Sequence, residues 1–250
     1  MSKSCVKIGW MYPNLLNLHG ERGSVQAFTR VGQRLGLEVQ VQRISEPEDS
    51  IPFDELDLLM FLPGELLTLS RLKPHLEKQM AGLKAFLDRG GYIIAVGTTG
   101  MLFGGKVQRE DGSVFEGLGL LNMTAKERKY VHGDDLHFTV EGVEHPILGC
   151  QIHMVTVDCE TPLGKLIQGY GNNGTEAEGG RVQNLIYTNC LGPVFAKNPW
   201  WAEAILRQIT GCDAPALTYT LEQASYETCC RFLKEKPEFH TNDGMTLIPT

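Results

Sequence analysis

Apolar and polar positions change rhythm several times along the first hundred residues. In VKIGWMY (6–12) the apolar residues predict a short strand that stops at Pro13. From Ser24 to Leu35 the spacing lengthens: Val25, Phe28, Val31 and Leu35 fall on one face of a helix, which Gly36 closes. LEVQVQRI (37–44) alternates like a strand, and LDLLMFLPG (56–64) is a continuous apolar run typical of a strand covered on both faces. The pattern then predicts a helix from Pro74 to Asp88, stopped by Arg89-Gly90-Gly91, and another buried strand in YIIAVG (92–97). Strand, helix, strand, strand, helix, strand with short joins is the order of an α/β fold with a mainly parallel central sheet flanked by helices. Chemistry in such sheets gathers at the carboxyl ends of the strands, so the joints of interest are 12–24, 62–68 and 97–101.

After Gly105 the texture changes. GKVQREDGSVFEGLGLL predicts a loop or hairpin, and LHFTVEGVEHPILGCQIHMVTVD predicts antiparallel strands with turns. GYGNNGTEAEGG (169–180) has the composition of a hairpin tip, because Asn and Gly tolerate positive φ; a loop facing a partner is the alternative. NLIYTNCLGPVFAKNPWWAEAILRQITG predicts a strand, a loop and a final helix with Asn198 as N-cap and Pro199 at its first position. Trp200 and Trp201 open that helix; core packing of both is the expectation, with an interface role for one as the alternative. Beyond Gly211 the pattern weakens, and a partly ordered extension is expected.

Composition narrows the function classes. A chain of 250 residues with 42% hydrophobic and 21% charged residues has the material for a sizeable core. A net charge of −7 argues against broad nucleic-acid or anionic-membrane binding, which needs basic surface. No stretch approaches the roughly 18 apolar residues of a membrane span. The seven cysteines are scattered without C-x-x-C pairs, so neither a zinc site nor a disulfide framework is expected, and free thiols in a reducing cytoplasm are.

IIAVGTTGMLFG (93–104) has the strand–turn–helix form on which α/β enzymes display a nucleophile. Other pieces accompany it in order: YPNLLNLHGERGSV (12–25), a Pro-Gly-Glu loop (63–65), GLGLLNMTAKER (117–128), GCQIH (149–153), GYGNN with EGG (169–180) and NLIYTNCLGPVFAKNPWWAEAIL (184–206). Together they resemble the class I glutamine amidotransferases of the cobyric-acid-synthase-like group, and within it the GatD type, the amidotransferase subunit of lipid II isoglutaminyl synthase. The resemblance covers roughly residues 6–210. It sets an amidotransferase-like domain at 1–211 and a C-terminal extension at 212–250. It implies a flavodoxin-like glutaminase fold in which an elbow cysteine attacks the glutamine amide and a late histidine activates it. The released ammonia passes to a Mur-ligase-like (MurT-type) ATP-dependent synthetase, giving a heterodimer that needs no cofactor or metal of its own.

This chain departs from that pattern where the chemistry lies. Against a family elbow of the form A-V-C-G-G-Y-Q-L-L-G, the cysteine falls on Gly97 and the glutamine on Met101. Against T-Y-L-H-G-P, the histidine falls on Leu191. The oxyanion loop reads LPGELL, so Gly64 keeps a place in it while Pro63 removes a backbone donor. Glycine offers no attacking atom and leucine takes no proton. Thr98 and Cys190, each one step from a lost position, are the weak substitutes; a one-residue slip redirects a side chain. The resemblance places Arg128, Gly64, Gln151 and His153 around a substrate, with Arg128 suited to a carboxylate. For Arg128 the alternative is a solvated charge on a loop with Lys126, Glu127 and Lys129. For His153 it is a packed, hydrogen-bonded histidine.

The expected function is that of a catalytically degenerate GatD-like subunit that binds and supports the synthetase. Two rivals stand beside it. One is a working ammonia supplier with relocated catalytic residues. The other is a non-catalytic sensor that holds a small amino-acid ligand in the old pocket.

Overall fold

The computed structural model describes residues 3–235. Six strands form the central sheet: β1 (Cys5–Met11), β2 (Glu38–Ile44), β3 (Leu58–Phe61), β4 (Tyr92–Val96), β11 (Gly180–Val182) and β12 (Leu185–Thr188). They lie in the order β11-β12-β4-β3-β1-β2, parallel except for β11 at the edge. The alternation within β3 explains its continuous apolar run. Leu58 and Met60 join the core under α1 (Arg22–Arg34) and α6 (Pro199–Thr210), while Leu59 and Phe61 join the core under α2 (Leu66–Lys78) and α3 (Met80–Asp88). A strand covered on both faces has no place for a polar residue.

The helix expected over 74–88 is in fact two. It begins at Leu66, carries Pro74 inside α2 and breaks at Gln79. Proline at position 74 suggested a helix start, its preferred place, yet a helix can also bend around it with one backbone bond missing. Gln79 leaves helical geometry and accepts from the backbone N–H of Ile51 at 2.9 Å, tying the break to the loop before β3.

A second sheet grows from the chain after α4 (Gly100–Phe103). β5 (Lys106–Gln108) and β6 (Val114–Glu116) form a hairpin, as expected. β7 (Met123–Val140) and β8 (Ile147–Cys159) are long antiparallel partners, and β9 (Gly164–Gln168) and β10 (Ala177–Glu178) complete the order β10-β9-β7-β5-β6 with β8 on β7. Residues 123–127, beyond the expected strand start, already belong to β7. The register of β7 and β8 slips between Glu127 and His132.

α5 (Val194–Lys197) precedes α6. Asn198 stands at the N-cap position, but its side chain does not cap the helix. It accepts from Leu148 N–H at 2.9 Å and donates to the carbonyls of Leu148 and Val194, pinning β8 to α6. Both tryptophans are buried. In the described part of the extension, Tyr219 and, from the following helix α7 (Thr220–Glu235), Tyr226 pack against the body of the fold. Residues 236–250 of that extension lie outside the described residues. Among the described residues, no helix is long and apolar enough to cross a membrane.

Candidate functional site

Four loops meet at the carboxyl ends of the parallel strands: 12–21 after β1, 62–65 after β3, 97–99 after β4 and 189–193 after β12. At their centre, Gly97 has φ +62°, the left-handed conformation that a nucleophile elbow imposes. A Cβ built on Gly97 would lie 3.3 Å from Leu191 Cδ2 and 3.4 Å from Pro63 Cβ and Cγ. Three of the positions at which the sequence departs from its resemblance, Gly97, Leu191 and Pro63, therefore converge on one point. Apolar groups surround the place where a side-chain nucleophile would begin.

Thr98 does not point its hydroxyl at that space. Its Oγ1 donates to the Gly64 carbonyl and accepts from Gly64 N–H at 3.2 Å. The backbone donor of the oxyanion loop is thus taken by the neighbour of the elbow. Thr99 is buried and donates to Phe61 and Val96 carbonyls, locking the elbow to the ends of β3 and β4.

Leu191 is buried and exchanges two backbone hydrogen bonds with Cys150 of β8, 2.7 Å and 3.2 Å long. Cys190 is fully buried, and its Sγ lies 2.5 Å from where Gly149 would carry a Cβ. Burial pushes its thiol well above the ordinary range, and the carboxylates of Glu178 and Glu21 add to the effect. A thiol held protonated is a poor nucleophile. Thr98 and Cys190 do not bond to each other: the Thr98 hydroxyl is held by Gly64, and the Cys190 N–H donates to Thr188 Oγ1.

The remaining candidates form a second group on β7 and β8. Arg128 lies within strand β7, not on a loop as one of its two readings had it. Its Nε donates to Thr156 Oγ1 at 2.8 Å, its Nη2 donates to Tyr170 Oη, and its guanidinium lies 4.4 Å from the Tyr170 ring centroid. His132 packs 4.4 Å from the same ring, with His153 beside it. His153 is buried, and its ring is held down to about 3, first by burial and then by the Arg128 and His132 charges. It is neutral at physiological pH. Gln151 is buried as well, lies 2.9 Å from His153 and exchanges hydrogen bonds with the backbone of Gly171. Arg128, Gln151 and His153 thus belong to one cluster, while Gly64 belongs to the elbow.

GYGNN lies in the turn of the antiparallel β9–β10 hairpin, as its composition predicts, and the turn is tied down. Asn172 is buried, accepts from Gly179 N–H and donates to Gly179 O, both at 2.8 Å. Next to it, fully buried Glu178 accepts from Thr188 Oγ1, Asn189 N–H and Asn189 Nδ2 at 2.8–2.9 Å. Burial raises the Glu178 carboxyl, against the pull of these donors. The network fixes residues 188–190 and, through them, the loop carrying Leu191.

Glu21, in the HGERG stretch that leads into α1, is a site residue that the sequence reading did not single out. It is fully buried and accepts from Gly192 N–H at 2.6 Å, Ser24 Oγ at 2.8 Å and Val194 N–H at 3.3 Å. Burial raises its pKa, while those donors and Lys197 oppose the rise. A lone acidic residue ahead of a helix was the signal, but it is shared by ordinary capping.

A cavity of about 290 Å³ lies between β7, β8 and the 172–177 loop, lined by Asn122, Thr124, Asp158, Glu160, Asn173 and neighbours. None of the candidate residues lines it. Among the described residues, no group of three or more His, Cys, Asp or Glu is arranged to hold a metal ion.

No protein-family model matches the chain. It is 25% identical over 204 residues to the lipid II isoglutaminyl synthase (glutamine-hydrolyzing) subunit GatD of Streptococcus pneumoniae, covering 77% of this chain and 76% of that protein. A crystal structure of a glutamine amidotransferase superposes with a TM-score of 0.51 at 13% identity, covering 81% of this chain and 98% of that one. The chain is class I glutamine amidotransferase-like: it has that α/β fold and is similar in sequence to a GatD subunit.

Proposed function

We propose that this chain is a GatD-like subunit that has lost the glutaminase reaction and acts by docking a Mur-ligase-like, ATP-dependent amide-forming synthetase. One observation carries the proposal: Gly97, Leu191 and Pro63 converge within 3.4 Å of the missing nucleophile's Cβ, so nucleophile, base and one oxyanion donor are all apolar at one point. Gly64 N–H, the donor left on the oxyanion loop, is held by Thr98. Amide hydrolysis by covalent catalysis needs a nucleophile, a base in reach and preorganised donors. The elbow supplies neither a nucleophile nor a base, and Thr98 holds the Gly64 donor.

The scaffold around that point is nevertheless held firmly, by Glu21 on the 191–194 loop, by the Glu178 network behind it and by Asn198 beneath it. A folded surface retained without its chemistry fits a subunit that supports a partner. Likeness to a GatD subunit, which is named as part of a synthase, supports a synthetase as that partner. Such a partner would take free ammonia or another amine to attack its ATP-activated carboxylate. Seven unpaired cysteines are consistent with action in a reducing cytoplasm.

The test is the nitrogen source of the purified complex. With ATP and the acceptor carboxylate present, the complex forms its amide from ammonium chloride or an amine and fails to form it from glutamine. Amide formation from glutamine at a rate comparable with that from ammonium would refute the proposal.

A further inference from the structure

The geometry points to the cleft between β7, β8 and the 172–177 turn as a binding site for a short aliphatic diamine, held between the carboxylates of Asp158 and Glu160. None of the elbow residues lines this cleft, so the site is independent of the function proposed above.

Strand pairing builds the cleft. Thr124 of β7 stands opposite Asp158 of β8, and the ladder runs one pair further, from Glu160 N–H to the Asn122 carbonyl at 3.1 Å. Pleating therefore puts Asn122, Thr124, Asp158 and Glu160 on one side of the ribbon. The turn closes the space beside them. Asn173 Nδ2 donates to Asp158 Oδ1 at 2.7 Å, and Asn173 is itself fixed, because its Oδ1 accepts from Thr175 Oγ1 at 2.6 Å. Asn122 Nδ2 donates to Glu160 in the same way. Behind them Asn172 is buried, its side chain tied to Gly179 and Asn189 and its carbonyl to Val157 N–H at 2.8 Å. The enclosed space of about 290 Å³ stands near the lower end for small-molecule sites. Both carboxylates are thus oriented before any ligand arrives.

Hydrogen-bond accounting selects the ligand. The two amide side chains that meet the carboxylates are turned to them through nitrogen. What stays without a hydrogen bond among the described residues is mostly acceptor: Asp158 Oδ2, Glu160 Oε1 and Asn122 Oδ1, with the Thr124 hydroxyl able to do either. A sugar or diol hydroxyl needs donors for its own oxygen, whereas an ammonium brings three donors and asks for none. Charge agrees. No Lys, Arg or His lines the cleft, and neither Asp158 nor Glu160 forms an ion pair among the described residues. Lys126, next along that side of β7, lies outside the lining, and Glu176 of the turn is already paired with Lys165 at 3.0 Å. Among the described residues no group of three or more His, Cys, Asp or Glu is arranged to hold a metal ion, so the cation that fits is organic. Asp158 and Glu160 are two residues apart, which sets their Cα atoms about 7 Å from each other, a span that two ammonium groups on a short carbon chain can match. Ala177 lines the cleft as an apolar contact for the methylenes between those charged ends.

Calorimetric titration of the full-length chain tests the site, with 1,5-diaminopentane as the probe. One equivalent is expected to bind, and the Asp158→Asn/Glu160→Gln double variant should weaken binding by about tenfold or more. Each substitution keeps an oxygen for Asn173 or Asn122, so the cleft holds its shape, which circular dichroism checks. Pentylamine should bind more weakly than the diamine, and 1,5-pentanediol should give no binding. Glu141→Gln/Glu144→Gln removes as much charge from exposed positions elsewhere and should leave the affinity unchanged. An equal loss in that control reduces the effect to general attraction by an acidic chain and overturns the site. Absence of diamine binding overturns it too, as does binding that the cleft variant leaves intact. Equal affinity for pentylamine removes the paired carboxylates from the account, and equal affinity for the diol assigns the cleft to a neutral hydroxylated ligand; either result overturns the inference.

Discussion

Substituting Gly97 by alanine tests whether the elbow survives as backbone. At φ +62° a residue with a Cβ costs about 1–2 kcal/mol relative to glycine. Alanine also restricts the unfolded chain, which returns about 0.4–1 kcal/mol. The new Cβ meets Leu191 and Pro63 at 3.3–3.4 Å, close enough that they must give by a few tenths of an ångström. The balance is a loss of about 1 kcal/mol, or about 2–4 °C in Tm for a chain of this size. Gly133→Ala is the matched control, since Gly133 lacks positive φ and has open space around its Cβ direction. It should be neutral or stabilising. Thermal unfolding followed by circular dichroism reads both. If Gly97→Ala raises Tm as Gly133→Ala does, position 97 is not left-handed and the elbow argument fails.

Three further outcomes follow from the same contacts. Asn198→Ala strips partners from buried Leu148 N–H and from the Leu148 and Val194 carbonyls, and should cost about 2–4 kcal/mol, read as a lower urea midpoint at unchanged slope. His153 lowers stability as pH falls from about 6.5 toward 3, because the unfolded ring takes a proton that the buried ring, held at about 3, refuses; in His153→Gln the slope of stability against pH over that window should shrink by up to one proton. Under iodoacetamide, exposed Cys229 should be modified while fully buried Cys190 stays unmodified in the folded chain, as peptide mass spectrometry would reveal; early alkylation of Cys190 would revive it as a reactive thiol.

The parallel sheet was readable because each of its rules is local. A doubly covered run in β3 and helical spacing at Val25, Phe28, Val31 and Leu35 each follow from burial of neighbouring residues. Pro74 misled because the same residue starts helices and is tolerated within them, and only packing decides. Arg128 left two readings because KERK has no apolar alternation; its pairing with Thr156 spans 28 residues and its contact with Tyr170 spans 42. The Glu178 network was invisible for the same reason. Asn172, Glu178 and Asn189 come from a turn-like segment and a strand end, and only the folded chain makes them neighbours. The departures at Gly97, Leu191 and Pro63 were legible through ordered resemblance and not through spacing. Geometry then added what resemblance lacked, that Gly97, Leu191 and Pro63 surround one point and that Thr98 is spent on Gly64.

Ammonia release from glutamine tests the central claim most directly. The purified chain, alone and with its synthetase and ATP, is incubated with glutamine labelled with ¹⁵N at the amide, and labelled ammonium is followed over time. The account predicts no release above the protein-free control in either case, and no change on Thr98→Ala or Cys190→Ala. Sustained release that either substitution abolishes would contradict it, and would place a working nucleophile beside the elbow.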